Sequence, residues 1–152
     1  MQSRSCSSEW LGSVKRQYAL AVAPLAKAVA LQPEQLTAHY ELGIALYNTG
    51  DLRTAASHFE IVAAKMPHFA DARYSLGSVY ARIDRVAEAV TELRAAIELE
   101  PGHFRANLLL GRILTLQNRA EQAVPYLRTA VDVDPHSTEA RMFLAEALKK
   151  PH

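Results

Sequence analysis

Residues 36–69 read LTAHYELGIALYNTGDLRTAASHFEIVAAKMPHF. Two runs of about a dozen residues, each with apolar side chains three and four apart, flank Gly50-Asp51, and Pro67 closes the stretch. That spacing is the helical period. Gly, Asp and Asn tolerate a left-handed turn, Asp51 is suited to cap the helix that follows, and a proline stops a helix at its end. The stretch therefore reads as helix, tight turn, helix, stop.

Working outward, the same sentence recurs every 34 residues. Pro33, Pro67, Pro101 and Pro135 are in step, as are Leu42, Leu76, Leu110 and Leu144, and Gly43, Gly77, Gly111 and Ala145. So are Ala21, Ala55, Ala89 and Ala123; Leu25, Phe59, Leu93 and Leu127; and Ala28, Val62, Ala96 and Ala130. Asp84-Arg85 and Asn118-Arg119 stand where Gly50-Asp51 does. The pairs Gly43/Ala55, Gly77/Ala89 and Gly111/Ala123 are small where two helices must cross closely. Pro125 lies within the second helix of its repeat and is expected to kink it or delay its start.

Period and content resemble the tetratricopeptide repeat, a 34-residue helix–turn–helix unit. The resemblance covers residues 18 to 149 and departs at the family's tryptophan, where His39, Arg73, Asn107 and Arg141 stand. It implies an all-α, right-handed α-solenoid with a C-terminal capping helix, eight or nine helices in all and no sheet. The expected layout is an N-terminal tail with a partial helix over 1–17, the second helix of a partial repeat over 18–35, and complete repeats over 36–69, 70–103 and 104–137. A capping helix and C-terminus then occupy 138–152, with Leu144, Ala145 and Leu148 facing inward. Leu11, Val14, Tyr18, Ala21, Val22 and Leu25 space out as one longer amphipathic helix, after a tail over residues 1–7.

The 152 residues are 49% hydrophobic and 22% charged, enough to bury a core. A formal net charge of +1 argues against nucleic-acid binding through bulk charge. Cys6 is the one cysteine, which excludes an internal disulfide, and no catalytic, phosphate-binding or metal motif is present. The reading is a non-enzyme without cofactor. No run reaches the ~18 apolar residues of a membrane span. Lys15-Arg16 followed by Tyr18–Ala26 and small residues at 28–30 has the outline of a secretory signal, interrupted by Pro24 and Lys27. The expectation is a cytoplasmic protein, or a secreted or periplasmic one if residues 15–30 are a signal peptide.

A repeat solenoid offers one special surface, the concave face lined by the first helices. Opposite the core positions, the helical period puts Tyr40, Ile44 and Tyr47 in the first repeat, Tyr74, Ser78 and Arg82 in the second, and Arg105, Leu108, Leu109 and Arg112 in the third. A tyrosine-rich, part-apolar groove with arginines farther along suits a peptide offering an apolar residue and then a carboxylate. Its arginines could instead be paired internally, Arg105 with Asp71 and Arg112 with Glu146. Family co-chaperones that clamp an acidic chaperone tail use Lys, Asn, Asn, Lys and Arg. The residues here are Tyr40, Ile44, Ser75, Arg105 and Leu109, which argues against that role. Two functions remain: an interaction scaffold or adaptor for a protein or peptide partner, with self-association through the solenoid ends as a further option, or a regulatory or assembly piece of a larger enzyme or secretion machine. The start at Met1 and the capping helix favour the scaffold.

Overall fold

The computed structural model describes residues 6–149, with side chains from Leu11 onward. Residues 1–5 of the tail expected over 1–7 lie outside them, and Cys6 and Ser7 are already helical rather than tail. Among the described residues there are eight α-helices and no strand: α1 (Cys6–Leu31), α2 (Leu36–Thr49), α3 (Leu52–Lys65), α4 (Ala70–Arg82), α5 (Val86–Leu99), α6 (Phe104–Leu116), α7 (Ala120–Val133) and α8 (Thr138–Lys149). The chain divides into two compact units, residues 1–67 and 68–152. In the first, α2 packs against both α1 and α3. In the second, α4, α6 and α8 are neighbours in one layer, with α5 and α7 packed against them as the other.

The turn inside each repeat is built the same way three times. Gly50, Asp84 and Asn118 take positive φ values of 97°, 67° and 61°. The next residue then donates back five positions: Asp51 to Leu46, Arg85 to Tyr80 and Arg119 to Leu114, at 2.8–2.9 Å. This is the Schellman closure, which gives the last carbonyls of the first helix a donor. Asp51 does take the N-cap position of α3, but its side chain makes no capping hydrogen bond. Pro125 sits inside α7, which begins at Ala120 and is as long as α3 and α5, so the expected delay of its start does not occur.

Each helix pair meets on a glycine. Phe59, Leu93 and Leu127 are at most 1% exposed. A Cβ on Gly43 would lie 2.6 Å from the Phe59 ring, one on Gly77 2.9 Å from Leu93 Cγ, and one on Gly111 2.4 Å from a Leu127 methyl. The glycine thus makes room for the bulky residue of the facing helix. Ala55, Ala89 and Ala123 complete the seam and are fully buried.

The place of the family's tryptophan is filled with hydrogen-bond donors. His39 Nε2 donates to the Pro33 carbonyl at 2.8 Å, and Asn107 Nδ2 donates to the Pro101 carbonyl at 3.0 Å. Each ties the start of a repeat to the proline that ended the one before. His39 Nδ1 also meets His58 Nδ1 at 3.0 Å, while Arg73 at the corresponding place reaches Glu92 at 2.9 Å.

The capping helix departs from expectation. Its buried residues are Ala140 and Ala147; Leu144 is half-buried, and Ala145 and Leu148 are exposed. Leu144 and Leu148 continue the stripe that a second helix covers in the complete repeats, and here no described helix follows.

Candidate peptide-binding surface

The residues expected to line a groove lie on first helices. In the first unit Tyr40, Ile44 and Tyr47, on α2, are half-buried. The Tyr40 ring leans on Phe59, with centroids 5.8 Å apart, so it also closes the core. In the second unit Tyr74 and Leu109 are half-buried, Arg82 and Arg105 exposed and Arg112 half-buried. Ser78 and Leu108 are each 9% exposed, and Thr115 is fully buried with its hydroxyl donating to the Gly111 carbonyl at 2.8 Å. These three fill space beside the neighbouring helices and offer a ligand little area.

The charges pair differently from the expected pattern. Arg112 reaches Glu139 at 3.0 Å and lies over the Phe143 ring, 5.7 Å from its centroid. Asp71 meets His103 at 2.7 Å instead of Arg105. Arg105 enters none of the ion pairs among the described residues and is exposed. Of the arginines on α6, then, one is matched to a carboxylate inside the protein and one is left to solvent.

His103 organises this surface, and sequence reading passed over it. It is the N-cap of α6: its Nδ1 accepts the Ala106 N–H at 3.1 Å, which leaves Nε2–H to donate to Asp71 on α4. Its ring also packs beside Tyr74, with centroids 5.3 Å apart. One side chain therefore caps one first helix, fixes a carboxylate on the previous one and positions a tyrosine. The signal was present in the series Gln35, Phe69, His103 and Ser137, 34 apart, each just before a first helix. Ser137 caps in the same manner, accepting from Ala140 N–H at 3.1 Å.

Among the described residues no group of three or more His, Cys, Asp or Glu side chains is placed to hold a metal, and no helix is long and apolar enough to cross a membrane.

A family model described as Tetratricopeptide repeat matches residues 14–60, 40–102, 84–137 and 117–148. No curated protein sequence matches the chain. Among solved structures, the crystal structure of MamA is 19% identical, with 90% of each chain covered and a TM-score of 0.76. YrrB, described as a TPR protein with an unusual peptide-binding site, is 25% identical over 86% of this chain and 67% of its own, with a TM-score of 0.76. The first TPR of Spaghetti (RPAP3), bound to the HSP90 peptide SRMEEVD, is 17% identical over 76% of this chain and 92% of its own, with a TM-score of 0.72.

Proposed function

We propose, from the premise that this chain belongs to the tetratricopeptide repeat family, that it is a non-catalytic scaffold whose first helices bind an extended protein segment. The carrying observation is that, on the first helices of the second unit, Tyr74 and Leu109 are part-exposed and Arg105 is exposed. Partly exposed tyrosines give contact area and a hydrogen bond at low entropic cost. The likeness to YrrB supports peptide binding as the mode. The ligand chemistry follows from the charges: with Arg112 engaged by Glu139, Arg105 is the cation on offer, so the segment carries an apolar or aromatic residue and a single carboxylate.

The test is selection of peptides from a displayed library, followed by anisotropy titrations against the parent and against Tyr74→Ala, Leu109→Ala and Arg105→Ala, each checked for helicity. Removing a well-packed aromatic or an engaged arginine costs about 1–2 kcal/mol, or roughly five- to thirtyfold in affinity. Arg105→Ala should also flatten the dependence on salt. Selected peptides that bind all three variants as tightly as the parent would refute this surface.

A further inference from the structure

In the first unit two histidines face each other across a helix pair. His39, on α2, is buried, and His58, on α3, is half-buried. Their Nδ1 atoms stand 3.0 Å apart and their ring centres 5.2 Å apart. The Pro33 carbonyl decides how the protons are shared. It can only accept, so His39 carries its proton on Nε2 and donates it there at 2.8 Å. In the neutral pair His39 Nδ1 is then a bare lone pair, and His58 Nδ1–H donates to it. A histidine with one nitrogen held by a backbone carbonyl and the other presenting its lone pair is arranged as metal-binding histidines are, with the outer partner already in place. The glycine seam does not demand this pair. The same two positions hold Arg73 and Glu92 in the second repeat and Asn107 and Tyr126 in the third.

We propose that His39 and His58 form a two-histidine site for a divalent transition ion of the zinc class, each ring binding through Nδ1, with water in the remaining positions. Two imidazoles that hold one ion at about 2.0–2.1 Å and a tetrahedral angle have ring centres about 5 Å apart and nitrogens about 3.3 Å apart. The rings here already have that separation of centres. Turning them in their own planes, His58 the more because Pro33 holds His39, opens the nitrogens by a few tenths of an ångström and aims both lone pairs at one point. The proton on His58 Nδ1 gives way to the ion and another is taken up from solvent at Nε2. Both rings stay neutral and no net proton is released. Imidazole nitrogen favours zinc, copper and nickel, whereas magnesium and calcium take oxygen ligands. With two protein ligands, against the three or four of dedicated zinc sites, the ion exchanges and occupancy follows the free metal concentration. Bound, it ties α2 to α3 and, through His39, to the turn at Pro33.

Zinc chloride titrated into 15N-labelled protein, with magnesium chloride as the control, tests this through long-range 15N–1H spectra of the imidazole rings. By about 1 mM free zinc, which fills any site with a Kd well below that value, both Nδ1 signals should move together. His58 should change from the Nδ1–H to the Nε2–H form while His39 keeps its Nε2–H, and magnesium should leave both rings unchanged. His58→Gln should bind zinc at least about tenfold more weakly, since loss of an outer partner alone costs that much. His68→Gln, which removes an exposed turn histidine, should bind as the parent does. Both variants are checked for helicity, and the spectra of the parent decide the matter alone if His58→Gln does not fold. A His58 ring that stays in the Nδ1–H form at the end of the titration would mean a plain hydrogen bond between two histidines and overturn the proposal. So would shifts confined to the other histidines, or a folded His58→Gln protein that binds zinc within tenfold of the parent.

Discussion

Gly111→Ala sets two effects of similar size against each other at one atom. Replacing glycine by alanine inside a helix ordinarily stabilises it by about 1 kcal/mol. At Gly111 the new Cβ would stand 2.4 Å from Leu127 Cδ2 and 2.5 Å from Leu127 Cγ, and Leu127 is fully buried. The Cγ contact matters most, since a rotation of the leucine tip does not move Cγ away and α6 and α7 must part by several tenths of an ångström. Overpacking of that kind costs about 1–3 kcal/mol. The contact at Gly111 is the shortest of the three seam glycines, which places the cost in the upper part of that range and leaves a net loss of about 1–2 kcal/mol. Gly12, within α1, has nothing within 4 Å of its would-be Cβ, so Gly12→Ala should stabilise by about 0.5–1 kcal/mol. Urea denaturation followed by circular dichroism reads both. The double variant Gly111→Ala/Leu127→Ala isolates the contact: the new methyl occupies space that Leu127 vacates, so it should be less destabilised than the sum of the singles by at least about 1 kcal/mol. A Gly111→Ala protein as stable as Gly12→Ala, with additive behaviour in the double variant, would show that the glycine seam does not hold the helices close.

The first unit should weaken in acid. His58 titrates below the ordinary histidine value of 6.5, mainly because burial disfavours its charged form and secondarily because His39 lies beside it. The folded state then holds its proton less well than the unfolded chain, so the stability present above pH 6.5 is lost as the pH falls below it. Urea midpoints at pH 7.5, 6.5 and 5.5 should drop in that order, and His58→Gln should shrink the drop; an identical drop in that variant would exonerate the pair. At the left-handed turns, Asn118→Gly should be neutral or slightly stabilising, whereas Asn118→Ala should cost about 1 kcal/mol, because alanine lacks the short polar side chain that lets asparagine hold φ 61° at low cost. Equal midpoints for the two would contradict the turn geometry.

The fold was legible because its determinants are local and repeated. A left-handed residue, a stopping proline and a helical apolar stripe act within a few residues, and each was sampled three or four times in step. The surface was less legible for two physical reasons. Helical period gives the direction in which a side chain leaves its helix but not the width of the gap it enters, so Ser78 and Leu108 looked outward and are buried. Pairing between helices depends on their axial offset, which no single helix encodes. Hence Arg112 finds Glu139, two turns from the Glu146 suggested by spacing, and Asp71 goes to a histidine. In α8 the inward face was carried over from the complete repeats. With no described second helix after it, its buried residues are instead the alanines Ala140 and Ala147.

The positions 19 residues apart on the two helices of a repeat hold His39 and His58 in the first, Arg73 and Glu92 in the second, and Asn107 and Tyr126 in the third. Repeats that share one apolar seam are interchangeable as far as hydrophobic contact is concerned, which is a hazard while a chain is still collapsing. In the first two repeats the polar pair at these positions reduces the ambiguity. If α4 chose α7 as its partner, Arg73 would face Tyr126 with no carboxylate, and Glu92 would be left to face Asn107 or nothing. An unpaired, half-buried charge costs several times what a correct ion pair returns. In the first two repeats the first helix thus carries a polar partner for its own second helix, and the difference between the repeats at these positions works against a wrong pairing.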